Sequence, residues 1–128
     1  MNRYLLIAIG AALGANARYL LGVWAGNRFG ADFPYGTFIV NVAGSFLLGF
    51  MLVLGTGRLQ LSPEVRLLMA VGFLGSFTTF SAFAVESVNL WREAGLWHGL
   101  LNVAVNNLIG LLSAVLGAAL ARWMQSGG

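Results

Sequence analysis

The chain has 128 residues, 59% of them hydrophobic and only 9% charged. Soluble domains carry about 25% charged residues, so the composition is that of an integral membrane protein. The net charge of +3 comes entirely from arginine, and the arginines are scattered, which excludes a nucleic-acid-binding patch. The absence of cysteine excludes disulfides and thiolate metal sites.

Four apolar runs predict one four-span membrane domain over residues 1–124, with spans at about 4–25, 36–55, 65–91 and 98–122 and a short tail at 125–128. Each run reaches the roughly 20 residues needed to cross the hydrocarbon core. The tail Gln125–Gly128 reads as disordered. If the spans alternate, Arg3, Arg58, Arg66 and Arg122 share the side of both termini. Arg28 and Arg92 lie on the other side, with Arg18 buried nearer to it. The positive-inside rule then favours cytoplasmic termini only slightly, and so weak a bias permits insertion in both orientations.

In the first span, Arg3, an apolar stretch and Ala15-Asn16-Ala17 imitate a signal peptide with its cleavage site. Apolar sequence resumes at Tyr19 and continues to Ala25, so the segment is read as a retained span. Gly10 and Gly14 form a G-x-x-x-G pair that admits a second helix at close range. Arg18 is costly at this depth. It reads equally as a partner for a glutamate and as a lure for anions in a vestibule.

The second span starts at Pro34-Tyr35-Gly36-Thr37, where Thr37 is a candidate helix cap. Thr37, Asn41 and Ser45 then fall at i, i+4 and i+8 and form one polar stripe. Such residues serve as interhelical glue or as the lining of a path. Ser62-Pro63-Glu64 starts the third span, with proline in its first turn.

That span carries the most informative stretch, Gly75-Ser76-Phe77-Thr78-Thr79-Phe80-Ser81-Ala82-Phe83, inside a run without charge from Leu67 to Val85. Small, β-branched and hydroxylated residues alternate there with aromatics, which predicts a break in the helix. Non-helical backbone at membrane depth survives where it is buried in protein or lines a wet cavity. Phe80 and Phe83 share a face of the resumed helix. Glu86 follows, where a free carboxylate is expensive; pairing with Arg18, protonation and a wet vestibule all remain open. The fourth span repeats the polar stripe with Asn102, Asn106 and Gly110, Ser113 lying close to the same face and Asn107 one position off it.

Hydroxyls, carboxamides and the positive edges of phenyl rings suit a small anion. Carbonyls freed at a helix break suit a hard cation. The residue types alone support a pore for a small ion without naming it.

The chain resembles the small bacterial fluoride channels of the Fluc or CrcB family. The matching pieces are Gly14-Ala15 with Arg18-Tyr19, Pro34-Tyr35-Gly36-Thr37 with Asn41 and Gly44, Gly72 through Phe83 with Glu86, and Asn102-Val103 through Gly110 to Gly117. The resemblance implies an all-α, antiparallel, dual-topology homodimer of four-helix subunits in the bacterial plasma (inner) membrane, with the third helix broken mid-membrane. It implies passive fluoride efflux that reduces fluoride toxicity. The implied pathway comprises Thr37, Asn41, Thr79, Phe80, Ser81, Phe83 and Asn106, with Arg18 and Glu86 as vestibule or structural charges. A structural sodium ion at the dimer centre would be held by the backbone carbonyls of Gly75 and Thr78. Ser76-Phe77 stands where the family commonly has glycine-leucine, Ala82 and Ala84 where hydroxyl residues are frequent, and Asn106 where serine is common.

Two other classes compete. A proton-coupled multidrug exchanger would use Glu86 as its intramembrane carboxylate, although Glu86 lies near the span's end. In a non-transporting scaffold the stripes would only pack. No nucleophile–base or metal constellation supports an enzyme.

Overall fold

The computed structural model describes residues 2–57 and 60–127. Arg58, one of the arginines placed on the side of the termini, and Gly128 of the tail lie outside the described residues. The elements are α1 (Arg3–Phe29), α2 (Tyr35–Thr56), a short α3 (Pro63–Val65) running into a π-helical segment (Arg66–Leu74), α4 (Gly75–Phe77), α5 (Phe80–Ala94) and α6 (Leu96–Gln125). Among the described residues, four helical stretches are long and apolar enough to cross a membrane: α1, α2, the composite stretch Pro63–Ala94, and α6. The protein is therefore a multi-pass integral membrane protein.

Sequence chemistry explains the ends of these helices. The Ser62 hydroxyl accepts from Val65 N–H at 3.2 Å, with Pro63 in the first turn. Thr37, by contrast, is not a cap. The second helix begins two residues earlier at Tyr35, and the Thr37 hydroxyl is spent elsewhere. The α5–α6 hairpin turns on one residue, Gly95, at φ 111°, a conformation that side-chain-bearing residues rarely adopt. The tail departs from its expected disorder at its first residue. Gln125 ends α6, and its amide donates to the carbonyls of Val53 and Leu54 at 3.2 and 3.3 Å.

Glycine sets the helix spacing. A Cβ on Gly10 would collide with the Leu68 carbonyl, and one on Gly14 with the Phe73 carbonyl. The G-x-x-x-G pair thus does what small residues do in membranes, bringing two backbones together. α2 packs chiefly on α6, where Gly49 meets the Ala114 carbonyl and Gly117 the Phe46 carbonyl. Ser113 is glue in this interface, its hydroxyl donating to the Val42 carbonyl at 2.9 Å. The small core of Val40, Leu74 and Phe77 lies between α2 and the third stretch, just before the break.

The π-helical Arg66–Leu74 was not legible in the sequence, which predicted a regular helix up to the break. Its last turn is tied by Gly75 N–H, which points at the carbonyls of Ala70, Gly72 and Phe73. Such segments are rare and occur often at functional sites.

Candidate functional site

The helix stops at Thr78 and restarts at Phe80. Thr78 (φ −82°, ψ 154°) and Thr79 (φ −151°, ψ 115°) are extended. Asn41 closes the gap. Its Oδ1 accepts from Thr79 N–H at 2.8 Å and its Nδ2 donates to the Thr79 carbonyl at 3.0 Å. One carboxamide therefore satisfies both the N–H and the carbonyl of Thr79. Thr79 in turn caps α5, its hydroxyl accepting from Ala82 N–H at 3.2 Å. The Thr78 hydroxyl turns back to the Leu74 carbonyl at 2.9 Å. Its methyl fills the space that Gly44 leaves open.

The carbonyls of Gly75, Ser76, Phe77 and Thr78 lose their usual partners as a result, and Arg18 serves that of Ser76. In an unbroken helix Thr79 N–H would serve Gly75 and Ala82 N–H would serve Thr78. Here the first goes to Asn41 and the second to the Thr79 hydroxyl. Gly75 is also exposed on the surface of the protomer. A hard cation takes about six or more oxygens, so the Gly75 and Thr78 carbonyls of one protomer could supply only part of its shell. Among the described residues no cluster of His, Cys, Asp and Glu offers an alternative.

Beside the break lies a groove of about 250 Å³ lined by Asn41, Ser45, Thr78, Thr79, Phe80, Phe83, Asn106 and Asn107. It contains no charged side chain. Phe80 is 78% exposed and Phe83 8%; their ring centroids are 5.5 Å apart and tilted by 57°. The structure thus gathers five of the seven predicted pathway residues. The other two stand apart from the groove. Ser81 is exposed, and its hydroxyl lies 3.4 Å from that of Thr79. Thr37 belongs to a second cavity with Arg18, Glu86 and Thr79, the last of which lines both.

In that second cavity the Thr37 hydroxyl donates to Glu86 Oε1 at 2.8 Å, while Glu86 Oε2 is buried without a partner. Arg18 does not join this pair. Its Nε donates to the Ser76 carbonyl at 3.1 Å. The arginine–glutamate pairing left open by the sequence is thus not made among the described residues, and Arg18 instead holds the end of α4.

The sequence pattern missed Ser87 altogether and gave Asn102 no site role. Asn102 is fully buried and Ser87 8% exposed. Asn102 Nδ2 donates to Ser87 Oγ at 2.8 Å, and Ser87 Oγ donates to the Phe83 carbonyl at 2.8 Å. Asn106 Nδ2 donates to both the carbonyl and Oδ1 of Asn102, each at 2.8 Å. A serine on an amphipathic helix carries no distinctive signal, although its four-residue spacing from Phe83 places both on one face.

Four membrane-length helices, a break bracketed by a carboxamide and an uncharged polar groove beside it describe a small-ion pathway protein. Comparison with known families is specific. Residues 5–118 match the family described as CrcB-like protein, Camphor Resistance (CrcB). A protein of Chloroflexus aurantiacus named fluoride-specific ion channel FluC is 47% identical over 96% of this chain and 98% of its own length. Proteins of the same name from Roseiflexus sp. and Legionella pneumophila are 51% and 46% identical, over 91% and 97% of this chain and 94% and 92% of their own lengths. The chain belongs to the CrcB family.

Proposed function

We propose that this protein is a fluoride-specific ion channel that lets fluoride leave the cytoplasm passively, and so reduces fluoride toxicity. The observation that carries the reading is the groove itself: Asn41, Thr79, Phe80, Phe83 and Asn106 converge without any charged side chain. A small anion entering a dry site loses hydration that only short donors and positive ring edges can replace. One hydrogen of Asn41 Nδ2 is used at Thr79, and an amide nitrogen carries two. The second is left for the ion. Full-length relatives named fluoride-specific ion channel support the same reading. The protein is a channel, not an enzyme.

Fluoride meets the wider cavity of Arg18, Thr37 and Glu86 first and then the narrow groove. Phe80 is covered not by its own chain but by a second, antiparallel copy in the bacterial inner membrane; its 78% exposure in the protomer supports this. A sodium ion, where present, sits between the two copies at the break and neutralises the freed carbonyls of Gly75 and Thr78 without being transported.

Fluoride efflux from liposomes containing the purified protein, with chloride as comparison, tests the function. Fluoride release without chloride release is expected, and equal rates for both anions would refute selectivity. Single cysteines at Ala31 should be labelled from both faces of the membrane; labelling from one face alone rules out dual insertion. Exchanging sodium for a large organic cation should weaken the dimer, and unchanged dimer stability and flux would remove the sodium site.

A further inference from the structure

Within the described residues only two buried side-chain oxygens have no hydrogen-bond partner, and one is Asn106 Oδ1. It belongs to a residue of the groove. An orphan acceptor there is unfavourable for the protein, because a buried unpaired oxygen forfeits its hydration. It is also the wrong pole to offer an anion. The chain of bonds behind it shows how the pole could be changed.

As seen, every link runs inward. Asn106 donates to Asn102, Asn102 to Ser87, and Ser87 to the Phe83 carbonyl. Each of the three side chains can act as donor and acceptor. Rotating both carboxamides by a half-turn and turning the serine hydroxyl reverses the whole chain. Ser87 then donates to Asn102 Oδ1, and Asn102 Nδ2 donates to Asn106 Oδ1. Asn106 Nδ2 then stands in the place of the orphan Oδ1, with both its hydrogens left for an anion. The carbonyls of Phe83 and Asn102 lie inside α5 and α6 and keep their regular backbone partners, so reversal strands no backbone group. It does turn Asn106 Oδ1 toward the Asn102 carbonyl that Nδ2 serves in the inward setting, a repulsion that the bonds to the anion must also offset. Without an anion the inward setting has more bonds. With an anion in the groove the reversed setting gains charge-assisted bonds, which are roughly twice as strong as neutral ones.

We propose that Ser87 and Asn102 are positioning residues that set the polarity of the Asn106 carboxamide, so that arrival of an anion turns Asn106 from a buried acceptor into a donor. The proposal rests on the channel reading above and adds two residues outside the groove lining. It concerns the carboxamide at position 106 specifically. A serine there needs no relay, because a hydroxyl reorients on its own bond.

That difference supplies the test. Fluoride efflux from liposomes is measured for the full-length protein, Ser87→Ala, Asn106→Ser and the double variant, each confirmed as monodisperse beforehand. Ser87→Ala should slow efflux roughly tenfold in the original background, about one hydrogen bond to a charged ion. In the Asn106→Ser background it should change efflux less than about twofold. Equal slowing in both backgrounds makes Ser87 a packing residue and overturns the proposal, as does no slowing in either. Absence of fluoride efflux from the unaltered protein would instead refute the channel reading itself. A second measurement needs no variant for its readout. The side-chain 15N–H resonances of Asn106, assigned by their loss in Asn106→Ser, should shift when fluoride is added to the detergent-solubilised protein and not when chloride is added. Resonances that stay fixed at saturating fluoride overturn the relay.

Discussion

The two halves of the third span are held mainly by different means. Residues 63–77 lie against α1 through backbone contact: Gly10 on the Leu68 carbonyl, Gly14 on the Phe73 carbonyl, and Gly72 within 2.8 Å of the Ile7 carbonyl measured from where a Cβ would stand. α5 is held by side-chain hydrogen bonds, from Asn41 to Thr79, Thr37 to Glu86 and Asn102 to Ser87. Where lipid supplies no hydrophobic drive between helices, close packing and polar bonds are the two sources of cohesion. Here close packing dominates the first half, beside the bonds from Arg66 to Gly55 and from Arg18 to Ser76. Polar bonds dominate the second, beside the close approach of Gly99 to the Ser87 carbonyl. The first half should tolerate no added volume at Gly10, Gly14 or Gly72. The second should tolerate changes of size better than loss of a donor.

The largest effect expected from this contrast is at Gly14. Gly14→Val places branched carbon against the Phe73 backbone, where no flexible side chain can yield. Overpacking against backbone costs about 3 kcal/mol, enough to remove most folded protein from a membrane preparation. A normal yield of monodisperse Gly14→Val protein would break the comparison at its first half.

Next come the groove residues. Asn41→Ala leaves both peptide groups of Thr79 unpaired and removes a donor to the ion. Each such loss costs about 1–3 kcal/mol, so efflux should slow roughly ten- to a hundredfold. Phe80→Ile keeps bulk and removes the ring edge, and a similar slowing is expected from the lost anion contact. If Phe80 only packs, efflux through a correctly assembled Phe80→Ile channel stays near normal, and the second half is held and used in the same way as the first.

The smallest change sharpens the assignment of Glu86. Glu86→Gln preserves an oxygen for the Thr37 hydroxyl, and efflux should stay within about threefold of the original. Complete loss of transport would instead point to a carboxylate that exchanges protons, as a coupled multidrug carrier requires.

Much of this was legible from residue order alone. Four apolar runs predicted four spans, and the observed helices overrun each at both ends because flanking residues extend them into the interface: α1 continues to Phe29 and α6 to Gln125. The break was legible as well, since tandem threonines between phenylalanines are poor helix material. So were the groove residues Asn41, Phe80, Phe83 and Asn106, in part through resemblance to a family with a specific motif. Thr37 was read as a cap, as part of a stripe and, through the resemblance, as a pathway residue, because spacing fixes a helix face but not what that face meets. The stripe in fact serves three purposes: Thr37 holds Glu86, Asn41 brackets the break, and Ser45 lines the groove.

What the sequence by itself determined is therefore local: which segments are apolar enough to span, which glycines permit close approach, and where helical hydrogen bonding fails. Those properties depend on neighbours a few residues away. Only the tertiary structure decided where the freed backbone groups went. Thr79 finds Asn41, 38 residues earlier, Arg18 finds the Ser76 carbonyl 58 residues later, and Ser87 finds Asn102 across the α5–α6 hairpin. A buried polar group must be satisfied by whatever donor or acceptor the packing brings within about 3 Å, and no linear pattern encodes which one that is.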